Sequence, residues 1–131
     1  MASATILLVD DDEALRHTLA AVLQEHGFRV TTAGGVPEAL KLISAGSYDV
    51  LLSDLHMPGR GDGLTVVSAM RHANPNAVTM LFSAFPEMGA AAQAILLQTD
   101  QILVKPMNIP ALIEAIEQRL SLIHISEPTR H

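Results

Sequence analysis

Cysteine is absent from the 131-residue chain, which excludes a disulfide framework, thiolate chemistry and any cysteine-ligated zinc or iron–sulfur centre. Positive charge is scarce and scattered: eight Lys+Arg stand against 14 Asp+Glu, a net charge of −6. A surface that tracks phosphates along a nucleic acid needs clustered basic side chains, so direct nucleic-acid binding by this segment is not expected. Long hydrophobic runs are missing too. No stretch approaches the ~18 apolar residues of a membrane span. Met1 to Thr5 carry no basic side chain, and the apolar run behind them, Ile6 to Val9, is too short for a secretory signal. These absences suit a cytoplasmic chain. What is present is core material: 49% hydrophobic against 17% charged residues, which excludes disorder and, at this length, predicts one domain with a single sizeable core.

Apolar runs and helical patterns alternate five times. Thr5 to Val9 reads as a strand, followed over Glu13 to His26 by Leu15, Leu19, Val22 and Leu23 at helical spacing. Gly27 supplies a stop, and Phe28 to Thr32 reads as a second strand ending at Gly34-Gly35. Pro37 suits the first turn of a helix carrying Ala39, Leu40 and Ile43, which Gly46 closes. The third run, Val50 to Leu52, leads into Ser53-Asp54, a loop from Pro58 to Gly63, and a helix through Val66, Val67 and Met70. Val78 to Phe82 is the fourth strand, with a helix behind it carrying Met88, Ala92, Ile95 and Leu96. Ile102 to Val104 is the fifth, broken by Pro106, and Asn108 can cap a last helix with Ile109, Leu112, Ile113, Ile116 and Leu120 on one face. The strands are continuous apolar runs, as expected when helices cover both faces of a parallel sheet. The predicted class is α/β: a (βα)₅, doubly wound, five-stranded parallel sheet.

In such a sheet every strand's carboxyl end lies on one edge, where ligands bind. The residues that follow the strands are therefore informative: Asp10-Asp11-Asp12 after the first, Asp54 after the third, Ser83 after the fourth and Lys105 after the fifth. Carboxylates brought within ~4 Å repel by roughly 4 kcal/mol per pair at an effective dielectric of 20, so the cluster calls for a cation or a raised pKa. Oxygen-only ligands point to Mg²⁺. A carboxylate beside Mg²⁺, an ammonium and a hydroxyl is equipped for phosphoryl transfer, with the carboxylate as nucleophile.

Leu-Leu-Val-Asp-Asp-Asp at 7–12, Ser-Asp-Leu-His-Met-Pro at 53–58, Asp62-Gly63, Ser83-Ala84 and Lys105-Pro106 together resemble a response-regulator receiver domain of two-component signalling, in the CheY-like superfamily, over residues 4–120. The resemblance implies a flavodoxin-like strand order 2-1-3-4-5. It implies that Asp54 accepts the phosphoryl group, that Asp11 binds Mg²⁺ directly and Asp10 through water, and that the backbone carbonyl of His56 is a further ligand. Ser83 would hydrogen-bond the phosphoryl group and Lys105 would pair with it. The donor would be a sensor histidine kinase or a histidine phosphotransfer protein. The receiver would switch an output surface, acting on a separate partner or on an effector domain beyond Leu120. It would be a signalling domain, with only self-catalysed phosphotransfer and dephosphorylation. Homodimers through the face between the fourth and fifth helices are common in the family, and nothing in this sequence requires one.

Three features depart from the family pattern. The loop from Asp54 to Gly63 is one residue longer than usual, which predicts a local bulge. Ile102 stands where a Tyr or Phe often acts as a switch, and Leu97-Gln98-Thr99-Asp100 replaces a small-residue turn, which predicts an unusual output surface. Several neighbours have plainer roles. Asp12 reads as a helix N-cap, the His56 imidazole as solvent-facing, and His17, His26 and His72 as surface residues. Asp62-Gly63 reads as turn chemistry and the methionines as core filler.

Two alternatives stand beside this reading. A Mg²⁺ phosphohydrolase resembling the haloacid-dehalogenase type would use Asp10 as nucleophile within Asp10-x-Asp12, but it wants a further acidic pair on a strand end beyond the lysine. Before the final segment, only the helical Glu114 and Glu117 follow Lys105. The other alternative is a receiver-like binding module that is never phosphorylated. That final segment, residues 121–131, reads on from Leu120 like the in-frame translation of a sequencing adapter. It is expected to be no part of the domain, and the helical pattern is expected to stop at Leu120.

Overall fold

A computed structural model of the chain describes residues 4–57, 61–83, 99–105 and 108–126. Five strands build the main sheet: β1 (Thr5–Val9), β2 (Arg29–Ala33), β3 (Val50–Asp54), β6 (Val78–Ser83) and β7 (Gln101–Val104). Between β3 and β6 a two-residue antiparallel ribbon, β4 (His56–Met57) with β5 (Gly61–Asp62), closes the loop. The helices are α1 (Glu13–Glu25), α2 (Val36–Ala45), α3 (Gly63–Ala73) and α4 (Ile109–Ser126). All pairings in the main sheet are parallel, in the order β2-β1-β3-β6-β7. Counting those five strands alone, the order is 2-1-3-4-5. The helix predicted around Met88 to Leu96 lies outside the described residues, as do residues 58–60 in the middle of the Asp54-to-Gly63 loop for which a bulge is predicted.

Strand parity divides the core. Leu7 and Val9 point to one face, where they pack with Ala39 and Ile43 of α2 and Val66, Val67 and Met70 of α3. Ile6 and Leu8 point to the other and meet Leu19 and Leu23 of α1 with Leu112, Ile113 and Ile116 of α4. The central strands β3 and β6 are buried along their whole length, so their apolar runs do not alternate.

Local chemistry ends the helices as the sequence predicts. The Asp12 carboxylate accepts the Leu15 N–H at 3.1 Å and caps α1, and Asn108 caps α4 by accepting the Ala111 N–H at 3.0 Å. After α1 the chain turns at Gly27, whose φ of 99° lies in the left-handed region that a side chain disfavours. One boundary differs. Helix α4 runs through Ser126, past the stop predicted at Leu120. The segment after Leu120 has no glycine or proline before Pro128, and an established helix gains one hydrogen bond for each residue added. No core burial drives this extension at Leu122, which is 55% exposed. No helix among the described residues is long and apolar enough to cross a membrane.

Candidate functional site

Strand register assembles the site. Val9 lies opposite Ser53 in the β1–β3 ladder, so the next residues along, Asp10 and Asp54, emerge side by side. Asp54 pairs with Phe82 across β3 and β6, which puts Ser83 one step beyond, and Ser83 pairs with Val104, which puts Lys105 one step beyond that. The Lys105 N–H donates to the Ser83 carbonyl at 2.9 Å and fixes that last step. Residues from four distant stretches thus reach one sheet edge through ladder geometry alone.

Carboxylate oxygens of Asp10, Asp11 and Asp54 lie within 4.8 Å of one another. Asp10 is fully buried and Asp54 nearly so, whereas Asp11 is half-exposed. The Lys105 ammonium donates to Asp54 Oδ2 at 3.1 Å and stands 3.9 Å from Asp10 Oδ2. Asp10 Oδ1 accepts the Asp12 N–H at 2.9 Å, while Oδ2 is buried with no hydrogen-bond partner among the described residues. Burial pushes the Asp10 carboxyl up to about 6, and the neighbouring charges of Asp54 and Asp11 push the same way, against the Asp12 N–H and the Lys105 ammonium. An orphaned buried oxygen in a three-carboxylate cluster fits a hard divalent cation, which would replace the missing partner and offset the repulsion. Asp10, Asp11 and Asp54 are the side chains that would hold it. Ser83 is buried at the same edge, and His56 begins the short strand after the site, its imidazole outside what the structure describes.

The plainer roles also find their places. Asp12 is committed to capping α1, and His17, His26 and His72 are exposed. Met57, Met70 and Met80 are buried core. Ile102 is partly buried against the cluster on the α2–α3 face. Asp100, in the segment that departs from the family pattern, is held at the far end of the sheet by Arg71. Gly63 needs a correction: rather than a turn residue, it is the buried first residue of α3. A Cβ at this position would collide with the backbone carbonyl oxygen of Asp54, and the Gly63 N–H donates to the Leu55 carbonyl at 3.0 Å. Helix α3 therefore abuts the backbone of the central carboxylate.

Arg16 braces the acidic loop, a contact that sequence reasoning missed. Its guanidinium donates to the Asp10 carbonyl at 2.6 Å, while the Asp10 N–H donates to the Ala33 carbonyl at 3.1 Å. The acidic loop is thereby held from both sides. Its position in the first turns of α1, six residues after Asp10, was the available signal.

Comparisons with known proteins agree with this geometry. The family profile described as "Response regulator receiver domain" matches residues 6–117. The chain is 30% identical over 121 residues to the DNA-binding transcriptional regulator NtrC of Escherichia coli K12, covering 92% of this chain and 26% of that protein; it spans about a quarter of the length of such curated relatives. It superposes with a TM-score of 0.91 on a CheY-like receiver domain protein from Methanospirillum hungatei, at 21% identity and with 96% and 100% of the two chains covered, a likeness of fold. A response regulator from Burkholderia pseudomallei, solved with a phosphorylated aspartic acid, a calcium ion and citrate, is similar at a TM-score of 0.81 and 26% identity, with 98% of this chain and 78% of that one covered. With an acidic cluster, a lysine and a buried serine at the carboxyl edge of a 2-1-3-4-5 sheet and a profile match over nearly its whole length, the chain belongs to the response regulator receiver domain family.

Proposed function

We propose that residues 4–120 form a phosphoacceptor switch in which Asp54 takes a phosphoryl group from a phosphohistidine donor, with Mg²⁺ held by Asp10, Asp11, Asp54 and the His56 carbonyl. The observation that carries this reading is the Lys105 ammonium, 3.1 Å from Asp54 inside a three-carboxylate cluster with an unpartnered buried oxygen. A carboxylate oxygen of Asp54 attacks phosphorus, the donor's N–P bond breaks, and the imidazole, already protonated on its other ring nitrogen, leaves as the neutral ring with the bonding electron pair. Lys105 neutralises charge on the phosphoryl oxygens from a position it already holds, so little reorganisation is needed. When bound, Mg²⁺ supplies Lewis-acid neutralisation of the same oxygens. The donor would be a sensor histidine kinase or a histidine phosphotransfer protein in the cytoplasm. Water attack on the acyl phosphate would return the carboxylate without a further enzyme.

The new phosphoryl group brings extra negative charge and strong acceptor oxygens. Ser83, at the end of β6, is the hydroxyl that would donate to one of them, and its movement would bias the two-state equilibrium read by a partner or an effector domain. The unit's packing ends near Leu120, although α4 itself continues through Ser126. The phosphohydrolase alternative loses its second acid, because Asp12 is used as a helix cap.

The test is intact mass after incubation with acetyl phosphate and Mg²⁺. Wild type should gain one phosphoryl group, Asp54→Asn none, and Asp10→Asn less. Label that survives Asp54→Asn and disappears in Asp10→Asn would transfer the role to Asp10. No label on wild type would leave a binding module.

A further inference from the structure

The Lys105 side chain is 22% exposed, and its ammonium lies over the Phe82 ring, 5.2 Å from the centroid. This distance is within cation–π range, and the contact strengthens where water is excluded. Phe82 is fully buried and sits in the ladder directly opposite Asp54. Its backbone carbonyl accepts the Leu55 N–H at 2.9 Å, so one residue touches both the backbone after the phosphoacceptor and the cation beside it. An ammonium on a four-carbon stem has much rotamer freedom to lose. Asp54 accepts one of its three protons, and Asp10 at 3.9 Å is beyond hydrogen-bond reach. A side chain held, among the described residues, by one hydrogen bond and one longer ion pair at a partly open edge can rotate toward solvent. The ring face opposes that rotation.

We propose that Phe82 is a positioning residue for phosphoryl transfer, its ring holding the Lys105 ammonium against Asp54 before and after the phosphoryl group arrives. The inference rests on the phosphoacceptor reading for its consequence and on the Lys105–Phe82 geometry for its cause. Ile102 stands where the family often carries an aromatic residue, and it packs into the cluster on the α2–α3 face. Among the described residues, the ring that meets the site's cation belongs to Phe82, in the cluster of the opposite face.

The test is a series of full-length chains in which Phe82 is replaced by phenylalanine bearing one, two and three ring fluorines, with Phe82→Leu beside it. Fluorine withdraws charge from the ring face while leaving its shape nearly unchanged, so the series separates electrostatics from packing even where Phe82→Leu perturbs folding. At saturating Mg²⁺, labelling by acetyl phosphate should slow stepwise with fluorine number, by about three- to tenfold across the series. Lys105 side-chain protons should also carry an upfield ring-current shift that Phe82→Leu removes, whether or not the chain is phosphorylated. A flat rate across the series, or no such shift, overturns the positioning role while the phosphoacceptor reading stands. A wild-type chain that shows the shift and takes no label overturns the phosphoacceptor reading and leaves the contact.

Discussion

The two edges of the sheet treat aspartate in opposite ways. At the amino edge, Asp100 Oδ2 accepts the Thr79 N–H at 2.7 Å and Arg71 Nη2 at 2.9 Å, and the Asp100 carbonyl accepts Arg119 Nη2 at 2.9 Å. The same residue joins α3, β6, β7 and α4, and its charge is answered from two sides. At the carboxyl edge, Asp10 is buried more deeply, with two carboxylates for neighbours and one oxygen that has the Lys105 ammonium at 3.9 Å but no hydrogen bond among the described residues. At the amino edge the aspartate itself is satisfied and ties those elements together, although the neighbouring Thr99 Oγ1 is buried without a hydrogen-bond partner among the described residues. The carboxyl edge stores electrostatic cost that a cation or a proton can release, which is how a binding site differs from a structural ion pair.

The contrast is sharpest where the cation is removed. Chelating Mg²⁺ should bring phosphoryl uptake from acetyl phosphate to background, as read by intact mass, while leaving the fold intact by circular dichroism. A metal-free chain that labels at the wild-type rate would show that the carboxyl edge needs no cation.

Asp10→Asn comes next. With the carboxyl at about 6 when folded and 3.8 as its ordinary value, the ionised form costs about 3 kcal/mol at pH 7. The stability this group contributes is complete below pH ~4 and is lost as pH rises through about 6. Asn should therefore stabilise the metal-free chain at pH 7 by up to about 3 kcal/mol in urea unfolding, and flatten its stability between pH 4 and 6, while weakening Mg²⁺ binding. Wild-type affinity for Mg²⁺, measured by calorimetry, should climb with pH toward about 6 and level off above it. An Asn variant less stable than wild type would mean that Asp10 is not a stored cost.

Gly63→Ala should cost about 2 kcal/mol, because the added methyl must displace the Asp54 carbonyl or tilt α3. Urea unfolding and Mg²⁺ affinity should both report the change, since the strain falls on the backbone of Asp54, a proposed ligand. Asp100→Asn should cost about 1–2 kcal/mol, discounted for a pair whose side chains are roughly a quarter exposed, and should leave Mg²⁺ affinity as it was. A change in that affinity would show that the two edges are coupled through β6 and β7.

Much of this was legible before folding was considered. Apolar runs marked β1, β3 and β6 because a buried parallel strand needs no polar face, a shorter run marked β7, and Asp10, Asp54, Ser83 and Lys105 stood out because they follow these four runs. The local pattern suggests a turn at Gly63 because the need for glycine arises only when α3 docks on Asp54. The stop at Leu120 was overshot because the end of apolar periodicity removes a reason for burial without breaking the backbone. Arg16 and Phe82 looked ordinary for a helix surface and a core strand. Their partners are a carbonyl and an ammonium that no local pattern relates to them.

By itself, the sequence determined the kind of elements, their alternation and the chemical types gathered at one edge, since these follow from periodicity and from what comes after each apolar run. Only the tertiary structure decided which carboxylate oxygen is left without a partner, which backbone a helix leans on, and which ring faces the lysine. Those are distances of a few ångströms between residues as far as 95 positions apart. Ladder register and packing fix such distances, and residue order along the chain does not.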